Sequence, residues 1–412
     1  MAEEVTIATL GAQADGVTED GLYVAGTLPG ERVRVDRLVG PMDARARLIE
    51  VLSPSTDRVE PACPHFTECG GCAIQHASDA LVAKWKTDLI RKSLAARGIE
   101  DVQIYPIRTS PPASRRRITV TARRTKKTIQ IGFHAPGSDR IVPISACIVA
   151  RPELIDTLPL LQELVPLGAS RTSEIRMTLT LTEGGVDVAV FDAKEIDGPG
   201  RALLAGAANR ASVARLSWNG EAVITRTQPL VAMGRAKVEL PPGGFLQATE
   251  EGEAALVSAV RQAVGPALRI ADLYAGSGTF TLPLASHADI TAVEGDATAV
   301  EALDKAWRQT DGLHRIGATR RDLAHRPVLA GELKRIEALV IDPPRAGARV
   351  QCEQLAISEV PVIAAVSCNP ATFARDARIL LDGGYRLDWV QPVDQFRWAT
   401  HVELAARFSR TA

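Results

Sequence analysis

One cysteine, Cys368, stands in the run V-I-A-A-V-S-C-N-P-A-T-F-A-R-D. Residues 362–366 form an apolar stretch long enough for a buried strand and too short for a helix. Ser367, Cys368, Asn369 and Pro370 interrupt it, and residues 371–381 then have helical spacing, with Pro370 suited to a first turn. The thiol therefore falls where a parallel strand hands over to a helix, the edge at which open α/β sheets gather their ligands. A thiol there can be a nucleophile. A lone one is more often a small buried hydrophobe, so its neighbours decide. One of them is Glu403, in A-T-H-V-E-L at the start of the final strand. Flanked by Val402 and Leu404, its carboxyl is partly desolvated, which raises its pKa toward that of a useful base. The competing reading is an edge-strand glutamate facing water.

A second group of residues has the spacing of a nucleoside pocket. Residues 268–273 read as a strand, followed by Y-A-G-S-G-T-F, in which Gly276 and Gly278 allow a tight turn and close approach of a ligand. The third glycine of the dinucleotide motif is missing, which weakens a nicotinamide reading. Glu294, in I-T-A-V-E-G-D at the end of the next strand, is placed to accept both hydroxyls of a ribose. D-L-x-x-G-x-G with a later V-E-G-D is the usual arrangement for S-adenosylmethionine. Asp322, in R-R-D-L, stands where adenine is commonly recognised, or is an exposed cap. The fourth strand, residues 336–341, ends in D-P-P-R-A-G and brings Asp342 to the same edge, with two prolines fixing the backbone beyond it. D-P-P is also typical of enzymes that methylate exocyclic amines, so it does not choose the target atom.

The thiol and the glutamate choose it. Carbon 5 of uracil is a poor nucleophile until a thiolate adds at carbon 6, and a base must afterwards remove the proton at carbon 5. Amine methylation needs no cysteine. Enzymes acting on cytosine carbon 5 in RNA often carry a cysteine after the fourth-strand proline, where this chain has Pro344.

Three further cysteines, Cys63, Cys69 and Cys72, have the spacing C-x5-C-x2-C, and Cys147 lies far along in I-S-A-C-I. Four thiolates suit zinc or an iron–sulfur cluster, and the spacing alone leaves both open. Cys352 has no evident role.

These groups must be held by a large soluble scaffold. The chain has 412 residues, enough for two or three domains, and a net charge of -1 that excludes a globally basic binder but not a local patch. No apolar segment approaches membrane-spanning length, the start M-A-E-E-V-T lacks signal-peptide character, and a cytoplasmic monomer is expected. Residues 1–55 alternate short apolar runs (21–24, 32–39, 45–51) with glycine breaks such as Gly40-Pro41, the pattern of a small antiparallel barrel of the oligonucleotide-binding kind. Residues 56–240 read as a central α+β domain that carries the four cysteines, with a helix over 78–97. Residues 241–412 alternate strands and helices as a doubly wound, Rossmann-like sheet. The last two strands, 385–392 and 401–408, are expected to form an antiparallel hairpin at its edge.

Taken together, S-C-N-P-A-T-F-A-R-D, D-P-P-R, D-L-Y-A-G-S-G-T-F, F-L-Q-A and T-H-V-E resemble the RNA uracil-5-methyltransferase family across essentially the whole chain, the N-terminal barrel resembling a TRAM domain. The resemblance implies a class I methyltransferase fold, Cys368 as nucleophile and Glu403 as base. It also implies S-adenosylmethionine contacts from Gln247, Tyr274, Gly276, Gly278, Thr279, Glu294, Asp322 and Asp342. Its ribosomal-RNA branch implies a [4Fe-4S] cluster on Cys63, Cys69, Cys72 and Cys147, and thereby rRNA rather than tRNA. The chain departs from the pattern at Thr279, where asparagine is frequent, and at Trp398, where histidine is usual. Arg115, Arg116, Arg117, Arg123, Arg124, Lys126 and Lys127 form the most basic stretch, read as a phosphate-binding face or as a solvated strand. A uridine must leave any stack to reach Cys368, so flipping or a single-stranded loop is implied, with Phe245 and Trp398 as stacking candidates. The rival functions are an amine-directed RNA methyltransferase and a non-catalytic RNA-binding assembly factor.

Overall fold

The computed structural model describes residues 2–38, 44–170 and 172–410. Val39 and the expected Gly40-Pro41 break lie outside them. The N-terminal strands close into a five-stranded barrel whose core is Ile7, Leu22, Val24, Val33, Val35 and Ala46. It departs from the expected all-antiparallel pattern at one seam, where Tyr23–Val24 runs parallel to Arg45–Ser53. The central unit is a seven-stranded sheet with helices Pro152–Leu161 and Gly198–Arg210 on its core.

The C-terminal unit positions the site. Its nine-stranded sheet runs Ile316–Arg320, Asp289–Glu294, Arg269–Leu273, Ala338–Ile341, Val362–Ser367, Glu403–Ser409, Arg386–Asp394, Gln103–Ile104, with Arg108–Thr109 also on the last long strand. The first five are parallel, and Glu403–Ser409 is antiparallel to both its neighbours. Ala338–Ile341 is buried at every position, as an apolar run between two helical layers must be. Chain order reverses between Arg269–Leu273 and Ala338–Ile341, and the crevice at such a switch is where a ligand enters.

Local chemistry sets the helices that frame this crevice. Thr249 caps helix Glu250–Val264 by accepting from the Gly252 N–H, and Glu250, Glu251 and Glu253 face its positive end. Asn369 caps Pro370–Asp382 through the Ala371 N–H, with Pro370 in the first turn. The helix expected at 78–97 is Asp79–Ala95, capped by Ser78. Its Ile90 and Leu94 belong to the core of the C-terminal sheet rather than that of the central unit. With Gln103–Ile104 and Arg108–Thr109, it carries part of residues 56–240 into the C-terminal layer. The two short strands gave too little alternation to be read in advance.

Candidate active site

The end of strand Arg269–Leu273 turns sharply. Tyr274 has φ +63°, followed by Gly276 at +54° and Gly278 at +108°. A Cβ on Gly276 would meet nothing within 4 Å, which leaves the turn open to a ligand. One on Gly278 would sit 2.7 Å from Leu303 Cδ1 and collide with the helix behind. Glu294 Oε2 accepts the Gly276 N–H at 2.9 Å, while Oε1 accepts those of Gly295 and Asp296 at 2.6 and 2.9 Å. The carboxylate thus braces the glycine turn as well as facing the crevice edge. Thr279 is buried behind the turn. Asp322 accepts from His325 Nδ1 at 2.8 Å and from the Ala324 N–H at 3.0 Å. That histidine contact holds its carboxyl below the usual range. It borders a cleft of about 370 Å³ with Gly295, Arg320, Arg321 and Arg326.

Asp342 follows the central strand. Burial, and then the charge of Asp272, push its pKa up to about 7. Asp272 is itself raised to about 7 by burial, although the Thr281 hydroxyl donates to it at 2.5 Å. A cationic ligand group would relieve this pair of crowded acids. The open glycine turn, Glu294 and Asp342 fit a nucleoside carrying a positive centre.

Cys368 lies one residue beyond strand Val362–Ser367, half-buried rather than sealed. Ser367 pairs with Leu404 in the antiparallel register. Continuing that register by one position sets Cys368 opposite Glu403. Burial and the charges of Glu403 and Asp342 raise the thiol, while Arg345 opposes them. Glu403 is 5% exposed. Burial, then Asp342, lift its carboxyl to about 8, and the Gln395 amide pulls the other way. A thiol and a carboxyl, both held back from ionising, thus share one end of the sheet with the acidic crevice.

Gln247 is buried. Its main-chain carbonyl accepts from Arg116 Nε at 3.2 Å, and its side-chain Oε1 accepts from Gln395. Two contributors escaped sequence reading. Gln395 carries no motif and stands out only by preceding Glu403 in one hairpin. Lys86, on the helix after the cysteine loop, is fully buried, with Nζ 2.6 Å from Asp394 Oδ1 and 3.0 Å from the Phe396 carbonyl. Its spacing resembles any charged residue of an amphipathic helix.

The basic stretch divides. Arg116 is 4% exposed and pairs with Glu253 at 2.5 Å. The Arg117 guanidinium donates to the carbonyls of Gly243 and Gly244, and Arg115 lines the cysteine cavity with its guanidinium 5.5 Å from the Phe396 ring centre. The expected phosphate role of Arg116 therefore gives way to an internal one, because its guanidinium is buried and spent on Glu253 and the Gln247 carbonyl. Arg123 pairs with Glu174, and Arg124, Lys126 and Lys127 are exposed. Phe245 is 61% exposed beside the turn that leads to Gln247. The Trp398 ring is covered by Arg397 at 4.6 Å. Its carbonyl accepts from the N–H groups of Ala73 and Ile74.

Cys63, Cys69, Cys72 and Cys147 line one cavity of about 260 Å³ with Phe66, Phe133, Ile144 and Arg115. Gly70 docks this loop on strand Ile129–His134 through a 2.9 Å bond to the His134 carbonyl, an approach that a Cβ would obstruct at 2.7 Å. Among the described residues, no three His, Cys, Asp or Glu side chains converge as they would on one ion. Four thiols are a donor set of the type that holds an iron–sulfur cluster or zinc. Cys352 is buried against the strand core, where burial drives its thiol far upward.

Residues 255–411 match the family model described as tRNA (uracil-5-)-methyltransferase. An uncharacterized RNA methyltransferase of Mesorhizobium japonicum is 44% identical over 98% of both chains. The 23S rRNA (uracil(1939)-C(5))-methyltransferase RlmD of Chromohalobacter salexigens is 32% identical over 98% of this chain and 88% of its own. The chain belongs to the RNA uracil-5-methyltransferase family. This RNA uracil-5-methyltransferase has the fold of the Pyrococcus abyssi tRNA (uracil-54, C5)-methyltransferase, solved with S-adenosyl-L-homocysteine. The TM-score is 0.77 at 24% identity, over 98% of this chain and 99% of that one. The enzyme is S-adenosylmethionine-dependent, and RNA is its substrate. Among the described residues, no helix is long and apolar enough to cross a membrane.

Proposed function

We propose that the enzyme methylates carbon 5 of one uridine in 23S rRNA, through a covalent bond between Cys368 and the base. The observation that carries this reading is the juxtaposition of Cys368 with Glu403 across the strand pair, beside Asp342 and the glycine turn. S-adenosylmethionine, bound along Gln247, Tyr274, Gly276, Gly278, Thr279, Glu294, Asp322 and Asp342, supplies an electrophilic methyl group. Cys368 Sγ adds as thiolate to carbon 6 of the uracil, and the displaced electron pair runs to carbon 5 and the carbonyl oxygen. Carbon 5 takes the methyl. Glu403 then removes the remaining proton at carbon 5, the ring double bond reforms and Sγ leaves. Asp342 balances a positive centre in the crevice, while the half-buried setting of the thiol keeps water from competing.

Support for ribosomal RNA comes from the likeness to the RlmD relative and from the four cysteines, which would hold a [4Fe-4S] cluster in a structural role that ties the central unit to the preceding loop. Arg123, Arg124, Lys126 and Lys127 would meet phosphates, and Phe245 would stack on a displaced base.

The test uses purified enzyme, S-adenosylmethionine and unmodified transcripts. One 5-methyluridine should form in 23S rRNA. RNA containing 5-fluorouridine should give a denaturation-resistant adduct that Cys368→Ala abolishes, since fluorine cannot leave as a proton does. Methylation of tRNA instead would move the substrate. Methylation without any adduct would sink the covalent mechanism.

A further inference from the structure

Gln395 is 1% exposed, and its amide is fully used. Oε1 accepts the Ala248 N–H at 2.7 Å and lies 3.4 Å from the Thr249 N–H. A main-chain N–H can only donate, so this contact fixes which end of the amide is oxygen. The two protons on Nε2 then point at Gln247 Oε1, 2.5 Å away, and at Glu403 Oε2. One side chain thereby links the segment entering helix Glu250–Val264, where Gln247 lies, to the carboxylate opposite Cys368.

We infer that Gln395 is the positioning residue for the base step: its amide fixes the Glu403 carboxyl in the orientation that accepts the proton from carbon 5. This rests on the reading of Glu403 as the base. The other charged groups around Glu403 do not supply that support. Asp342 and Asp394 carry the same sign, Cys368 is acidic, and Lys86 is committed to Asp394. Arg116 is committed to Glu253 and the Gln247 carbonyl. Hydrogen bonding to a charged form favours that form, and Gln395 is the neutral donor that stabilises the carboxylate without neutralising it. The bond to Gln247 fixes the amide from its other side, so the carboxylate cannot swing without breaking a second contact.

The experiment follows adduct formation and adduct resolution on ordinary uridine RNA as functions of pH in Gln395→Met, Gln395→Glu and Glu403→Gln. Gln395→Met should form adduct at close to the normal rate and accumulate it at neutral pH. The acid limb of its resolution should move up by about one pH unit, with KM for RNA within about twofold of normal. Gln395→Glu keeps the acceptor for Ala248 and replaces the donor with a second acid. Its limb should move further in the same direction, giving a reading even where the methionine variant folds poorly. Glu403→Gln should accumulate adduct at every pH. A folded Gln395 variant with an unmoved limb, beside a stalled Glu403→Gln, overturns the role of Gln395 alone. Normal turnover in Glu403→Gln overturns the assignment of the base and this inference with it.

Discussion

Cys368 directly follows Ser367, and Glu403 directly precedes the Leu404 that Ser367 pairs with, so thiol and carboxyl stand at the same end of one antiparallel strand pair. A uracil between them would meet sulfur at carbon 6 and a carboxylate near the adjacent carbon. Burial is the first cause of the reluctance of both groups to ionise, with the Glu403 charge adding to it at the thiol and the Asp342 charge adding to it at Glu403.

That reluctance has a sign in stability. Glu403 binds its proton more tightly in the folded chain, with a pKa near 8 against 4.5. Its contribution is therefore fully present below about 4.5 and is lost as pH rises through about 8. Without ligand, Glu403→Gln should melt close to wild type at pH 5 and clearly above it at pH 9. Thermal unfolding at the two values checks this. A gap that does not widen with pH would remove the burial argument for Glu403.

Lys86→Met should destabilise strongly, by about 3–5 kcal/mol, because it leaves Asp394 buried without its partner. The pair is sealed, with side-chain exposures of 0% and 1%. Asp394 adjoins Gln395, so activity should fall with stability. Adding Asp394→Asn to Lys86→Met should recover part of the loss, measured by urea unfolding. A double variant no better than the single one would mean that the lysine contributes by packing alone.

Protein purified without oxygen should contain iron and acid-labile sulfide, and Cys147→Ser should lower both while loosening the central unit. The readouts are metal analysis and limited proteolysis. Stoichiometric zinc would refute the cluster. Intact metal content in Cys147→Ser would exclude that thiol as a ligand.

Much of the site was legible because its residues lie at strand ends, where an apolar run stopped by glycine, proline or asparagine marks the sheet edge. Glu294, Asp342 and Cys368 each follow such a run. What escaped depends on tertiary partners. Lys86 reads as a surface charge until Asp394, 308 residues away, is seen beside it. Arg116 reads as one of three adjacent cations, yet it is buried just before strand Arg117–Arg124 and paired with Glu253. Gln395 reads as a plain loop amide, because its role comes from four contacts, to Gln247, Ala248, Thr249 and Glu403, drawn from two other segments. The strands Gln103–Ile104 and Arg108–Thr109 are two residues each, below the length at which alternation means anything.

Those two short strands have a further effect. They lie along the outer side of Arg386–Asp394, so the rim nearest the hairpin that carries Glu403 is blanketed by the protein's own backbone. At the opposite rim, Ile316–Arg320 has no outer neighbour among the described residues, and the run ends in the bulky cations Arg320 and Arg321. One margin is protected by pairing and the other by charge, two distinct defences against fibril-like stacking of a long twisted sheet.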